Sequence, residues 1–106
     1  MMTFVTDAPM ACGIVELDEQ GLVQEFHEKV ASPPSNLANG AIYVFEPEIL
    51  DFVRDSGSQV RDISKDVLLQ FLGRIFTWRA DGDLIDIGTM ANLEKARRLV
   101  QRSSVA

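Results

Sequence analysis

The order of β-type and helix-type segments is the feature that most limits what this chain can fold into. Two β-rich runs, at residues 11–18 (ACGIVELD) and 22–28, flank the turn-forming residues 19–21 (EQG), and this spacing predicts a hairpin. A further run at residues 39–45 (NGAIYVF) predicts a strand buried on both faces. Because the later β-type runs alternate with helical patterns, the sequence predicts an α/β domain with a mixed sheet and flanking helices.

The remaining segments follow the same alternation. Short β-type runs predict strands at residues 3–6, 74–80 and 84–87. Helices are predicted from Glu46 to about Ser56, from Asp62 or Ser64 to Leu72, and from a capping Thr89 to about Gln101. No internal repeat interrupts this order, so residues 1–106 are expected to form one domain or part of one.

Charge and composition exclude several classes of function. The net charge of −6 and the pI near 4.6 argue against a nucleic-acid partner, which requires clustered lysine and arginine. The longest apolar runs are too short to span a membrane, and no signal peptide is predicted at the N-terminus. Cys12 is the single cysteine, so an intrachain disulfide is impossible. We expect a cytoplasmic protein without membrane or nucleic-acid partners.

Asp86 is the first candidate for chemistry. It ends a predicted strand and precedes Ile87-Gly88-Thr89 and a helix. A carboxylate at the C-terminal end of a strand lies where α/β sheets bind ligands, and Mg²⁺ prefers one or two carboxylates together with phosphate oxygens and water. The alternative is that Asp86 caps a turn or the following helix, and spacing alone favours that alternative.

Other polar positions allow two interpretations as well. Glu28 and Lys29 end the second hairpin strand, where an exposed ion pair is the ordinary interpretation. Gly13 lies in the first hairpin strand, and close packing between strands would explain a glycine there. Asn39 begins the predicted strand at residues 39–45, while Tyr43 in that strand is expected in the core.

Three stretches, in fixed order, resemble the second half of the catalytic domain of sugar-1-phosphate nucleotidyltransferases. They are residues 26–29 (FHEK), 35–43 (SNLANGAIY) and 84–89 (LIDIGT). The nearest resemblance is to mannose-1-phosphate guanylyltransferase-like enzymes. The glycine-rich nucleotide loop of the family's first half has no counterpart in the sequence. The resemblance therefore implies a single partial domain over residues 1–106, the sugar-binding half of a Rossmann-like nucleotide-diphospho-sugar transferase domain, without the N-terminal nucleotide-binding half.

The resemblance also implies roles for individual residues. Glu28 and Asn39 would bind sugar hydroxyls, and Gly13 would let the sugar approach the backbone. Lys29 would neutralise the sugar phosphate as a catalytic residue. Asp86 would be catalytic as a ligand of Mg²⁺ in the complete enzyme, facing the same cleft as Glu28 and Lys29.

Three departures from the family pattern accompany these matches. Leu84 stands where a tryptophan is common, and Val30 replaces a proline. The order Asn39-Gly40-Ala41 replaces the more frequent Asn-Ala-Gly.

The implied reaction transfers a nucleotidyl group from an NTP to a sugar-1-phosphate with release of pyrophosphate. We expect the isolated chain to be inactive and to hold Mg²⁺ poorly, because the other half of the site is missing. The alternative is a non-catalytic sugar-phosphate-binding or assembly module that pairs with another chain. An uncovered sheet edge also predicts a homodimer or a higher oligomer.

Overall fold

A computed structural model describes residues 1–104, which form a five-stranded mixed sheet with helices and helical turns. The predicted α/β class with a mixed sheet is confirmed. The strands are β1 (Met2–Val5), β2 (Gly13–Leu17), β3 (Val23–Glu28), β4 (Leu37–Asn39) and β5 (Trp78–Arg79). The α-helices are α1 (Pro47–Ser56) and α2 (Met90–Ser103). Short helical turns cover Pro9–Ala11, Gly57–Gln59, Ile63–Val67 and Leu68–Phe71.

The sheet has the strand order β3-β2-β4-β1-β5, so β3 and β5 are its edges. The pair β1–β5 is parallel, whereas β1–β4, β2–β3 and β2–β4 are antiparallel. The connection from β1 to β2 therefore crosses over β4 before the chain enters the hairpin. This crossover, residues 6–12, lies beside the site described below.

The predicted hairpin is confirmed as β2 and β3. Asp18 shapes its turn, because its Oδ1 accepts hydrogen bonds from the backbone N–H groups of Gln20 and Leu22, each at 2.9 Å. Gly21 completes the turn with a φ of 84°, a left-handed conformation that glycine adopts without steric cost. The sequence signal was sufficient here because the turn depends on side chains within the turn itself.

The hairpin presents two different faces. Residues directly opposite each other in an antiparallel ladder point to the same side. We call one side the core face, which carries the pairs Gly13–Glu28 and Val15–Phe26. The other side, the carboxylate face, carries the pairs Ile14–His27 and Glu16–Glu25. Val15 on the core face is 1% exposed and belongs to the main apolar cluster, with Met1, Val23 and Leu68. Ile14 on the carboxylate face is also buried, at 0% exposed, so that face is open only around its polar side chains.

The prediction of a strand over residues 39–45 is wrong beyond Asn39. The Asn39 Oδ1 accepts a hydrogen bond from the Ala41 backbone N–H at 2.8 Å, and Ala41 has a φ of 58°. This local turn ends the ladder, because a left-handed residue cannot continue an extended strand. The predicted burial is wrong too, since Ile42 and Val44 are 52% and 86% exposed.

The predicted strand over residues 84–87 is also absent from the described part of the chain. The Asp86 Oδ1 accepts a hydrogen bond from the Gly88 backbone N–H at 2.9 Å, which bends the chain instead of extending it. The predicted strand over residues 74–80 shortens to β5, with one isolated bridge between Leu22 and Phe76.

The second predicted helix is not α-helical: it consists of one segment wider than an α-helix and one segment tighter. Residues 63–67 form a π-type turn and residues 68–71 a 3₁₀ turn. Asp62 caps the first turn as predicted, accepting from the Lys65 N–H at 3.0 Å. The Arg61 and Asp62 N–H groups donate to Asp66 Oδ2, each at 2.9 Å, and these bonds hold the pKa of Asp66 below its ordinary 3.8.

The first and last predicted helices are confirmed. Pro47 opens α1, and Gly57 ends it with a φ of 58°. Thr89 caps α2, and its Oγ1 accepts from the Asn92 N–H at 3.1 Å. Neither helix contains a buried residue within the described chain, so the core is covered mainly by the turns that carry Val67 and Leu68. No helix within residues 1–104 combines the length and the apolar character that crossing a membrane requires.

Candidate functional site

Asp86 lines a cavity of about 520 Å³ at the C-terminal end of β1. We call it the Asp86 cavity. Its walls come from the end of β1, the crossover, residues 82–88 and the first turns of α2. The crossover is held at this cavity by its own contacts, including one between Thr6 Oγ1 and Cys12 Sγ at 3.5 Å. Asp86 therefore lies where a strand end, a loop and a helix N-terminus meet, which is a common position for ligands in α/β sheets.

Asp86 is held by a local turn just before α2. Its Oδ1 accepts the Gly88 N–H, and α2 begins four residues later with its positive dipole end nearby. Gly88 lies close to that carboxylate, because a Cβ built on Gly88 would lie 3.1 Å from Asp86 Oδ1. On the far wall Lys95 Nζ contacts Asp7 Oδ2 at 3.2 Å, so the cavity also contains a cation.

Asp86 fits one ligand position of a Mg²⁺ ion. Its second oxygen can bind a cation while Oδ1 stays in the turn, and Mg²⁺ accepts a single carboxylate when phosphate and water complete its shell. Within residues 1–104, however, no other two metal-ligating side chains converge on Asp86. Phosphate oxygens and water would have to supply most of the remaining ligands of such a centre.

Glu28 and Gly13 lie together on the core face of the hairpin. They are directly opposite in the ladder, and a Cβ built on Gly13 would lie 2.9 Å from Glu28 Oε2 and 2.6 Å from Phe26 Cζ. The space that a glycine leaves at this position is therefore filled by side chains of the same protein. This finding supports the close-packing interpretation of Gly13, while its role toward a sugar stays a prediction.

Lys29 adopts a strained backbone immediately after β3. Its φ is 50°, which costs a residue with a Cβ about 1 kcal/mol or more, and such strain concentrates at ligand sites. The conformation is held by a hydrogen bond from the Lys29 N–H to the Cys12 carbonyl at 3.1 Å. The side chain is exposed, and no carboxylate in residues 1–104 forms an ion pair with it. Its ammonium group is available to an external anion.

Asn39 is engaged at both ends of its side chain. The Nδ2 group donates to the Tyr43 hydroxyl at 2.7 Å, and Oδ1 accepts from the Ala41 N–H. Tyr43 itself packs against the apolar cluster, as the sequence predicted. A sugar hydroxyl could bind Asn39 only by replacing or sharing one of these bonds, and its proposed role stays a prediction.

The structure brings four of the five predicted site residues into one region of the sheet. Gly13 and Glu28 are paired, Lys29 follows them, and Asn39 lies on β4, the next strand beside β2. Asp86 lines its own cavity together with Cys12, the residue before Gly13, and its position relative to Glu28 and Lys29 stays a prediction.

Cys12 connects the two groups of residues, since it lines the Asp86 cavity and its carbonyl accepts the Lys29 backbone hydrogen bond. The expectation that Asp86, Glu28 and Lys29 face one cleft stays a prediction.

Lys95 is a charged residue that lines the Asp86 cavity and was not predicted from the sequence. Asn92, Lys95 and Leu99 line the cavity together. Their spacing of three and four residues places them on one face of α2. This spacing is present in the sequence. It does not show whether the helix face lines a cavity or faces solvent, because that depends on where the crossover lies.

Comparisons with known proteins support the resemblance, and they show that it covers only part of each relative. The sequence profile of the family described as "Nucleotidyl transferase" matches residues 1–103. A glucose-1-phosphate adenylyltransferase from Thermotoga maritima is 39% identical over 95 residues, covering 77% of this chain and 22% of that protein. One from Thermomicrobium roseum is 36% identical over 90 residues, covering 79% and 21%. The chain therefore spans about a fifth of the length of the curated relatives it matches.

A solved structure shows the same fold. A Bacillus anthracis protein described as a glucose-1-phosphate thymidylyltransferase, crystallised with sucrose, superposes with a TM-score of 0.76 at 21% identity. The likeness covers 92% of this chain and 41% of the other. Since the family profile matches nearly the whole described chain, and the Thermotoga maritima relative shares more than a third of its aligned residues, the chain belongs to the nucleotidyl transferase family.

Proposed function

We propose that this chain supplies the sugar-1-phosphate side of a nucleotidyltransferase active site. In the complete reaction a phosphate oxygen of the sugar-1-phosphate attacks the α-phosphorus of an NTP. The bond between that phosphorus and the oxygen bridging to the β-phosphate breaks, and pyrophosphate leaves. The observation that carries the proposal is the family match over residues 1–103. Such a reaction depends mostly on positioning and on neutralising phosphate charge.

Lys29 is the proposed phosphate-binding catalytic residue. Its unpaired ammonium group and its strained, hydrogen-bonded backbone support this role, because the strain fixes the direction in which the side chain leaves the sheet. Glu28 precedes it at the strand end, and its carboxylate can accept hydrogen bonds from vicinal sugar hydroxyls. Asn39 and Gly13 would complete the sugar contacts on neighbouring strands.

Asp86 is the proposed ligand of Mg²⁺ and the second catalytic residue. When bound, the ion would supply charge neutralisation at the phosphate oxygens. Asp86 itself would contribute one oxygen while its other oxygen remains in the turn with Gly88. Because no group of three metal-ligating side chains in residues 1–104 includes Asp86, we expect weak Mg²⁺ binding by the chain alone.

Glucose-1-phosphate is the first substrate to test, because the two curated relatives are named as glucose-1-phosphate adenylyltransferases. Mannose-1-phosphate is the second, since the sequence pattern resembles the guanylyltransferase-like enzymes. ATP, dTTP and GTP are the matching nucleotides. Reactants of this kind imply the cytoplasm as the working compartment.

A second candidate is an assembly module that pairs with another chain. The exposed apolar surface supports it: Val44, Phe76 and Leu50 are 86%, 70% and 67% exposed, and neither α-helix buries a residue in the described chain. Exposed apolar surface commonly marks a protein contact where it forms a large patch. The two-residue edge strand β5 offers a place where another strand could add, which is how a homodimer or higher oligomer would form.

Binding of glucose-1-phosphate to the chain alone tests the first proposal. We expect chemical-shift changes in NMR spectra that are confined to residues near Lys29 and Glu28, and that disappear in Lys29→Ala. Arg54→Gln is the matched control, because Arg54 is an exposed cation on α1 with partners of its own. Binding that survives Lys29→Ala, or that Arg54→Gln abolishes equally, would contradict the assigned role.

A pyrophosphate-release assay separates the two candidates. We expect no turnover by the chain alone with either sugar phosphate and any of the three nucleotides. Turnover that returns on adding a recombinant first half from a relative, and that Asp86→Asn then abolishes, supports the proposed site. Turnover by the chain alone would contradict the incomplete-site interpretation, while light scattering that shows only monomer at high concentration would count against an oligomer.

A further inference from the structure

The carboxylate face of the hairpin holds three metal-ligating side chains at one point. Glu16, Glu25 and His27 each place one ligand atom there, and the three atoms lie within 4.8 Å of one another. Glu16 and Glu25 are directly opposite in the ladder, and His27 Nε2 lies 2.8 Å from Glu16 Oε2. The proposed sugar-side residues Gly13 and Glu28 lie on the other face of the hairpin.

We propose that Glu16, Glu25 and His27 form a binding site for a divalent transition metal of the Zn²⁺ class. Two carboxylate oxygens and one imidazole nitrogen are ligands that Zn²⁺ uses, at about 2.0–2.2 Å. Tetrahedral geometry at such lengths separates ligand atoms by about 3.4 Å. The atoms must therefore move by little more than 1 Å, which rotation of partly exposed side chains provides.

The ladder positions these ligands before any metal arrives. Two carboxylates directly opposite each other in an antiparallel pair repel, which destabilises the hairpin. A bound cation would convert this repulsion into attraction within a chain whose net charge is −6. Relief of this repulsion therefore contributes to the affinity of the hairpin for a cation at this point.

The imidazole decides which class of cation fits. Nitrogen ligands suit Zn²⁺, Co²⁺, Ni²⁺ and Cu²⁺, whereas Mg²⁺ and Ca²⁺ prefer oxygen alone. Binding requires that His27 Nε2 present its lone pair, with the ring proton on Nδ1. Glu16 then exchanges its hydrogen bond with Nε2 for a bond to the metal, and water fills the remaining position.

The site would stabilise the strand that presents the sugar-side residues. His27 directly precedes Glu28 and Lys29, and β3 is an edge strand whose one ladder partner in the described sheet is β2. Backbone hydrogen bonds to Ile75 and Gly73 restrain only its first residue, Val23. A metal joining β2 to β3 across the hairpin would restrain that edge. This consequence does not depend on the proposed transferase function, because the ligands lie on the opposite face from Glu28.

Cobalt and zinc titrations of the metal-free full chain test the proposal. We expect one equivalent of Co²⁺ to produce visible d–d absorption, and Zn²⁺ to displace it. We expect His27→Ala and Glu25→Gln each to weaken binding by about 100-fold or more, since even loss of an indirect partner costs about 10–100-fold. Glu19→Gln, an exposed carboxylate in the hairpin turn, is the matched control and should bind like the parent.

Two further measurements check that His27 is a ligand and that each variant is folded. His27 is the single histidine, so its ring C–H signals in NMR spectra should shift on adding Zn²⁺ and should not shift on adding Mg²⁺. Far-UV circular dichroism checks that each variant is folded. Absence of Co²⁺ absorption, unchanged affinity in folded His27→Ala, or loss of binding in Cys12→Ser with retention in His27→Ala would overturn the proposal.

Discussion

Replacing Gly13 by alanine separates packing from ligand approach as the reason for a glycine in β2. The added Cβ would lie 2.6 Å from Phe26 Cζ, against about 3.5 Å for an ordinary carbon contact, so the ring must move by about 1 Å. Phe26 packs against the apolar cluster, and overpacking of this kind costs about 1–3 kcal/mol. Reduced entropy of the unfolded chain returns about 0.4–1 kcal/mol. We expect a net loss of about 1–2 kcal/mol.

Urea unfolding followed by the fluorescence of Trp78, the single tryptophan, measures this loss. With a denaturant slope of about 1–3 kcal/mol per molar, the midpoint should fall by about 0.3–2 M. Gly82→Ala is the matched control, because a Cβ there meets nothing within 4 Å. That variant should be as stable as the parent or more stable by about 0.4–1 kcal/mol.

A double-mutant cycle with Phe26→Leu makes the argument refutable. Leucine lacks the Cζ atom that the new Cβ would strike, so Gly13→Ala should cost less in the Phe26→Leu background, by about 0.5 kcal/mol or more. An unchanged urea midpoint in Gly13→Ala, or an equal cost in both backgrounds, would refute the packing argument. Loss of sugar-phosphate binding without loss of stability would instead favour the role that the resemblance implies.

Three further predictions concern the elements around the sheet. Thr89→Ala should lower the free energy of unfolding by about 1 kcal/mol in urea titrations, because it removes the cap of α2. Leu68→Ala should cost about 2–5 kcal/mol because Leu68 is 3% exposed, whereas Leu69→Ala, at 45% exposure, should change stability by about 0.5 kcal/mol or less. The lowered pKa of Asp66 means that the ionised carboxylate stabilises the fold above the unfolded-state pKa near 3.8, and that this contribution disappears as the pH falls through the folded-state value. Acid unfolding should therefore be shallower in Asp66→Asn, and an identical acid transition would contradict the assigned hydrogen bonds.

Elements that depend on nearby residues were predictable from the sequence. The hairpin turn is set by Asp18 and Gly21, and the start of α2 by Thr89, all through hydrogen bonds or backbone angles inside a few residues. The same dependence on nearby residues explains the two wrong strand predictions. Asn39 and Asp86 each bend the chain with their own side chains, so the β-type runs around them did not become strands.

Burial was harder to predict than secondary structure. Residues 42–45 have the composition of a central strand, yet Val44 and Phe45 are 86% and 39% exposed. A hydrophobic run predicts that some surface will cover it, but it does not say whether that surface belongs to the same polypeptide. The family match explains the discrepancy in part, since the chain spans about a fifth of its curated relatives.

The sequence by itself determined the family, the mixed α/β class, the hairpin and the boundaries of α1 and α2, because motif order and local hydrogen bonding depend on neighbouring residues. Only the tertiary structure showed that Asp86 lines a cavity with the crossover and α2, and that Asn39 lies on the strand beside Gly13. Strand order decides that second grouping, and strand order depends on pairings between residues far apart in the chain. The register of the hairpin brought Glu16, Glu25 and His27 to one point, because register decides which side chains lie opposite each other.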